Sequence, residues 1–206
     1  MRPLELLVSC DRCQRPLSAA VLVSNEPPLC GPCRQEETVV DRLRAFGAYD
    51  AELRALIVLL KYNGVEPLAR LLAGWLTLVI AQQPDLVKVE AVVPVPLHPR
   101  RRRARGFNQA DLLARELGRW AKLPVQAGWL RRIKDTPSQT GLTPAQREEN
   151  VRGAFASERK LDSARILLLD DVCTTGATLN ACARALKQAG AAQVNAVTVA
   201  RVMQEI

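Results

Sequence analysis

The 206-residue chain is short of several things. Aromatic residues make up only 4% of it, too few for a base-stacking platform spread over a large surface. There is a single histidine, His98. In the apolar middle the longest uncharged run, Leu71 to Pro84, has 14 residues, fewer than the ~20 a spanning helix needs. Two glycine fingerprints are absent: no Gly-x-x-x-x-Gly-Lys of a P-loop, and no Gly-x-Gly-x-x-Gly of a dinucleotide fold. No internal repeat is present. Leu7-Val8-Ser9-Cys10 resembles a lipoprotein cleavage site, but the apolar stretch before it is too short and contains Glu5. These absences together predict a cytoplasmic protein.

What is there suits one ordinary domain with a small appendage. Hydrophobic content of 48% supports a sizeable core and argues against disorder. A net charge of +8, from 29 Lys and Arg against 21 Asp and Glu, favours phosphate-bearing partners, either nucleic acid or small metabolites. An idle basic surface fits the charge alone equally well.

The first forty residues stand apart. Cys10-x-x-Cys13 and Cys30-x-x-Cys33 frame 16 residues, the spacing of a two-knuckle zinc module. Four thiolates complete a tetrahedron, so Zn²⁺ here is structural and leaves no open position for water. A module of this size lacks a core, and metal supplies its folding energy. Two disulfides are the alternative, which fits poorly with a chain lacking an export signal. The expected division is a zinc ribbon over 1–38 and a larger domain over 39–206.

Beyond Val39 the pattern alternates between helix and strand. Asp50 caps a helix over Ala51–Tyr62 with Leu53, Leu56, Ile57 and Leu60 on one face, ended by Asn63-Gly64. A second stripe runs from Leu68 to Val79. Val89–Val95 reads as a buried strand, Phe107–Trp120 as a helix and Val125–Ile133 as a strand. Ile166–Leu169 is an apolar strand, Thr178–Ala189 a helix closed by Gly190, and Val194–Val199 a last strand. The fold class is therefore α/β: a mostly parallel sheet with helices on both faces.

The sharpest segment is Arg165-Ile-Leu-Leu-Leu-Asp-Asp-Val-Cys-Thr-Thr-Gly-Ala-Thr178. An apolar strand runs into two carboxylates, and a Thr/Gly-rich turn then opens a helix. Ligands of open α/β sheets sit at the carboxyl ends of strands. Backbone amides of Thr174, Thr175, Gly176, Ala177 and Thr178, with the threonine hydroxyls and the helix end, form a phosphate cradle. Gly176 lets the backbone approach without a Cβ in the way. A carboxylate at a strand's tip can accept from two vicinal sugar hydroxyls; Asp170 and Asp171 lie one on each side of the strand, so both need not face the same ligand. An ordinary βα turn with capping threonines is the bland alternative.

Arg100–Arg103 and Arg105 follow the strand Val89–Val95. Arginine binds phosphate bidentately, so Arg100, Arg101 and Arg105 are candidates for a pyrophosphate, and the remainder for nucleic acid. His98 beside them suits a positioning hydrogen bond. Cys173, near a helix N-terminus, has a setting that favours a thiolate, although no covalent step is called for; Cys182 reads as a small core residue.

The Asp170–Thr178 segment closely resembles the ribose-5-phosphate signature of type I phosphoribosyltransferases. The whole chain resembles the ComF family of competence and DNA-utilisation proteins, its GntX-like branch most closely. The blocks that carry this are the four cysteines, Leu60-Lys61-Tyr62-x-Gly64 with Leu68-Ala69, and Val93-Pro94-Val95-Pro96-Leu97 with Arg100-Arg101 and Arg105-Gly106-Phe107-Asn108-Gln109. To these are added Thr136-x-x-Gln139, Arg147-x-x-Asn150 and Gly153-Ala154-Phe155. Cys173 departs from the pattern, in which an aliphatic residue is usual.

The resemblance implies that phosphoribosyl pyrophosphate binds with Mg²⁺, that Asp170 and Asp171 hold the ribose as charge grows at its C1, and that Arg147 joins the ligand contacts. It implies a mobile lid over Lys134–Arg147. It further implies contact with single-stranded DNA and with proteins of the DNA-uptake machinery. An active transferase of unknown acceptor and a non-catalytic regulatory module remain open alternatives.

Overall fold

The computed structural model describes residues 8–17, 27–35, 38–137 and 141–203. Four parallel strands form the main sheet in the order β1-β6-β5-β2: β1 (Arg42–Ala48), β2 (Ala91–Pro94), β5 (Arg165–Cys173) and β6 (Gln193–Arg201). The two central strands are buried along almost their whole length, as expected for a parallel sheet covered on both faces. A two-stranded antiparallel ribbon, β3 (Arg131–Arg132) with β4 (Phe155–Ala156), lies outside it.

One face carries α2 (Ala51–Tyr62), α3 (Leu68–Ala81) and α6 (Gln109–Ala121), whose apolar sides share a core with Leu167, Leu169, Val197 and Val199. The other carries α7 (Pro144–Val151) and α8 (Ala177–Gln188), packed with Ile166, Leu168, Val194 and Ala196. Neighbours along β5 thus face opposite cores, the period-two alternation of a strand. Among the described residues there are three further short helices: α1 (Gly31–Arg34), α4 (Pro84–Val87) and α5 (Pro99–Arg105).

Helix α2 has the bounds its sequence predicts. The Asp50 carboxylate accepts from Leu53 N at 3.1 Å, and Leu53, Ile57 and Leu60 are buried. Two expectations are corrected and two further segments gain detail. β5 does not stop at Leu169 but continues through both aspartates to Cys173. The segment 125–133 is not one strand; Val125 makes an isolated parallel bridge to Val92, a 3₁₀ turn follows at Ala127–Trp129, and two residues of β3 then pair with β4. The arginine-rich segment is helical, with His98 as N-cap and Gly106 as a left-handed C-cap at φ 87°. The segment expected to be a lid holds α7, started by a capping box between Thr143 and Gln146. β1 has no counterpart in the sequence reading.

The cysteine module is fastened to β1. Leu43 N donates to Arg12 O at 2.8 Å, and Ala45 N donates to Gln14 Oε1 at 2.6 Å. Arg44, buried in β1, reaches Asp11 at 3.5 Å. Val39 N and Val40 N donate to Asn180 Oδ1 on α8, at 3.0 and 3.3 Å.

Candidate functional site

Alternation along β5 decides where the two acids point. Asp170 continues the row of Ile166 and Leu168, and Asp171 that of Leu167 and Leu169. Both are deeply set, at 9% and 2% exposed. Asp171 N donates to Asp170 Oδ1, and Val172 N to Asp171 Oδ1, each at 2.9 Å. Asp171 Oδ2 accepts no well-aligned hydrogen bond but faces the Lys61 ammonium at 2.5 Å.

These surroundings split the pair. Burial pushes the Asp170 carboxyl well above its ordinary range, and the neighbouring Asp171 charge adds to this. Burial also acts upward on Asp171, but the Lys61 charge beside it outweighs this and holds that carboxyl low. Lys61 in turn is pushed down by burial and more than restored by Asp171 and Asp170. Burial thus favours the neutral form of Asp170, and Lys61 the ionised form of Asp171, on opposite faces of β5.

Directly beyond Cys173, residues 174–178 form a half-exposed turn into α8. Gly176 stands at φ 91° as N-cap, and a Cβ built there would have nothing within 4 Å. A left-handed backbone and clear space coincide here, as they also do at Gly64, Gly106 and Gly141, and leave the backbone open to close approach. Ala177 N donates inward to Thr175 Oγ1 at 3.3 Å, so that amide has an internal partner. Asn180 N closes the first helical turn on Gly176 O.

Lys61 extends the site. It ends α2 and, with Tyr62, Asn63, Gly64, Arg101 and Arg105, lines an open cleft of about 530 Å³. Arg105 lies over the Tyr62 ring at 5.2 Å and donates to Gln109 Oε1 at 2.5 Å. Arg101 and Arg105 are thereby brought to the cleft that Lys61 connects to Asp171. Arg100 points elsewhere: its side chain is 76% exposed and donates to Asp135 Oδ2 at 3.0 Å. His98 Nδ1 is 3.3 Å from the other Asp135 oxygen, in keeping with a positioning role.

The segment after β3 is latched to α5. Besides the Asp135 contacts, Arg101 Nη2 donates to Thr136 O at 2.5 Å. Arg132, 7% exposed, donates to Thr136 Oγ1, stacks over Phe155, and leaves Nε buried without a partner. Burial lowers the basicity of Arg132, as does the Arg101 charge, while Asp170 acts in the opposite sense. Arg147 sits on α7 with Nε held by Leu142 O at 3.0 Å. Gln139 lies outside the described residues.

Lys61 and Arg132 are the residues the sequence reading missed. Lys61 belongs to the Leu60-Lys61-Tyr62 block, which was a usable signal; for Arg132, a buried cation on a two-residue strand, there was none. Cys173 needs correction in another respect. It is the last residue of β5 and 2% exposed, and burial pushes its thiol up, so the expected thiolate setting does not arise. Cys182 is a core residue, as its sequence suggests, its thiol likewise pushed up by burial.

Cys10, Cys13, Cys30 and Cys33 are all buried, with their sulfurs within 4.8 Å of one another. Cys13 and Cys30 Sγ are 3.6 Å apart, far from the ~2.05 Å of a disulfide, and all six cysteines are free. Tetrahedral Zn–S bonds of ~2.3 Å place sulfurs about 3.8 Å apart, so this donor set fits a metal such as zinc. The crowded thiols share their protons unequally: hydrogen bonds from Cys13 and Cys33 hold Cys10 low, while the same bonds push Cys13 up, and Cys33 up to about 11. A cation resolves that conflict.

Known proteins bear on this arrangement. Residues 103–206 match the phosphoribosyl transferase domain family. Competence protein F of Haemophilus influenzae is 35% identical over 178 residues, covering 84% of this chain and 78% of its own. The DNA utilization protein YhgH of Escherichia coli K12 is 32% identical over 177 residues, again 84% and 78%. Among solved structures, the glutamine phosphoribosylpyrophosphate amidotransferase of B. subtilis, complexed with ADP and GMP, overlaps 63% of this chain and 26% of its own at 22% identity and a TM-score of 0.42. The parallel sheet, the cysteine cluster and the two curated relatives agree: this chain belongs to the ComF family of competence and DNA-utilisation proteins, with a phosphoribosyltransferase-like domain in its C-terminal half.

Proposed function

We propose that this protein binds phosphoribosyl pyrophosphate at the end of β5 and acts in the uptake or use of imported single-stranded DNA. The observation that carries the reading is the Thr174–Thr178 turn, half-exposed, opening α8, and bent at Gly176 with clear space above its backbone. A 5′-phosphate would take the outward amides and hydroxyls of that turn. The ribose diol would meet Asp171 as an acceptor and protonated Asp170 as a donor. Arg101 and Arg105 on the cleft wall would take the pyrophosphate. Arg100, on leaving Asp135, and Arg147, on leaving Leu142 O, would join them.

Among the described residues the only cluster of three or more potential metal ligands is the cysteine set. Mg²⁺ would therefore come bound to the pyrophosphate oxygens and neutralise that leaving group. Zinc in the four-cysteine site is structural. In this reading 1–38 is the ribbon and 39–206 the transferase-like domain.

The DNA role is supported by the names of the relatives and by Arg102 and Arg103, exposed on α5, where strand phosphates can reach them. DNA-uptake proteins are the matching partners. No described helix is long and apolar enough to cross a membrane; a cytoplasmic site of action is part of this proposal. Turnover is a second reading, favoured by the latch of Asp135 and Thr136 onto α5: a segment held there can close over a ribosyl cation and exclude water.

Calorimetry with phosphoribosyl pyrophosphate and Mg²⁺ tests the binding. Saturable heat is expected, and its absence with pure folded protein removes the reading. Pyrophosphate release with a panel of bases and amines tests turnover. Retention of single-stranded DNA by Arg102→Ala/Arg103→Ala, with affinity and salt slope unchanged, would remove the DNA contact from α5.

A further inference from the structure

Arg201 touches two parts of the molecule that have been treated separately. It is the last residue of β6 and is 3% exposed. Nη1 donates to Cys173 Sγ at 3.3 Å, and Nη2 lies 4.0 Å from Cys13 Sγ. Cys13 is one of the four clustered cysteines, and Cys173 immediately precedes Thr174. The backbone is tied at the same place: Val202 N donates to Cys173 O, and Tyr49 N to Arg201 O, both at 2.8 Å.

A buried guanidinium is costly without an anion or several good acceptors. Neutral thiols are weak acceptors. Four thiolates outweigh a divalent cation, so a loaded four-cysteine centre is anionic. Loading the ribbon thus supplies Arg201 with a counter-charge on its Cys13 side, and Arg201 passes the constraint to Cys173.

We infer that Arg201 is a positioning residue that links the four-cysteine metal site to the phosphate turn: metal fixes Arg201, Arg201 fixes Cys173, and Cys173 sets the start of residues 174–178. The inference rests on reading that turn as a phosphate site. Linkage is reciprocal, so metal tightens the anion by the same factor that the anion tightens metal, within a usual range of about 5- to 150-fold.

The test uses the full chain, zinc-loaded and chelator-stripped, as wild type and as Cys173→Val, which keeps a buried aliphatic group in place. Hydrogen exchange is followed in the peptide over 171–179, with β6 as the control for global unfolding. In wild type, stripping speeds exchange at 174–177 about 5- to 10-fold while β6 stays protected. In Cys173→Val, exchange there is already fast and indifferent to zinc. Ribose 5-phosphate affinity, measured by calorimetry, falls about 5- to 10-fold on stripping wild type and does not change in the variant. Equal exchange in loaded and stripped wild type overturns the inference. So does zinc dependence that survives in Cys173→Val, which would assign the coupling to Asn180 and its bonds to Val39 and Val40. If stripping unfolds β6, zinc release from loaded protein to a chromogenic chelator decides: Arg201→Met must release about 5-fold faster, and an equal rate overturns the link. Zinc-dependent exchange without any ribose 5-phosphate binding would sink the phosphate reading and leave the Arg201 link standing.

Discussion

The Lys61 ammonium lies 2.5 Å from Asp171 Oδ2, where the C-terminal end of α2 meets that of β5. Neither residue is tolerable there alone. Asp171 is 3% exposed in its side chain, and Lys61, at 21%, is only partly wetted.

Lys61→Met strands the carboxylate. Breaking a buried pair from one side costs about 3–5 kcal/mol, and partial exposure of Lys61 reduces this to about 2 kcal/mol. The sign follows from the two shifts. Asp171 is held low when folded, so its contribution is present above its unfolded value of ~3.9 and is lost as pH falls through the folded one. Lys61 is held high, so its contribution is present below ~10.4 and is lost as pH rises through the folded value. Urea unfolding across pH should show both limbs in wild type; in the variant the alkaline limb should be absent and the acid limb lost.

Asp170→Asn should do the opposite. Burial and the Asp171 charge raise the folded Asp170 carboxyl, so wild type loses stability as pH rises above ~3.9. The amide cannot ionise. At pH 8 the variant should be more stable by about 1–2 kcal/mol, with the gain vanishing near pH 3, while ribose 5-phosphate binding is largely kept because the amide N–H₂ still donates to the diol. Thermal melts at the two pH values and calorimetry check this; a variant less stable at pH 8 would count against the proposed split of the acids.

Gly176→Ala and Gly190→Ala separate backbone cost from site loss. Both glycines are left-handed, at φ 91° and 102°. An added Cβ meets nothing within 4 Å at Gly176 and only ordinary contacts, from 3.6 Å, at Gly190. Each should cost about 1–2 kcal/mol of stability. Only Gly176→Ala should weaken ribose 5-phosphate, by at least about tenfold, because its methyl group stands where the anion approaches.

Gly118→Ala reverses the usual helix rule. Alanine in α6 would ordinarily gain about 1 kcal/mol. Here its Cβ would sit 2.5 Å from Val125 Cγ2 and 2.8 Å from Leu123 O. Overpacking against backbone should make the variant less stable by about 2 kcal/mol in denaturant titration.

Legibility in the sequence followed locality. Helix α2 announces itself through an N-cap, an apolar stripe and a stop within fourteen residues, and the Asp-Asp/Thr-Thr-Gly-x-Thr segment through its order alone. Helix α5 has no buried residue, so no periodicity betrays it. β1 hides because Arg44 occupies one of its interior positions, where it is held by Asp11. Lys61 reads as a cation suited to a helix C-terminus, since its partner lies 110 positions further along. Arg132 is obscured for the same reason: its burial is created by elements distant in sequence.

Leu43 and Ala45 give their outward amides to Arg12 and Gln14, and on the opposite side Val92 is bonded to Pro124 and Gln126. Both borders of the main sheet are thus sheathed by the chain itself, one of them by the cysteine module. Stripped of that module, β1 would present a bare ladder of hydrogen-bonding groups, a template for strand-to-strand joining between molecules. The ribbon therefore also serves as a guard against self-association, and a chain begun at Val39 should form soluble oligomers or precipitate where the whole protein does not.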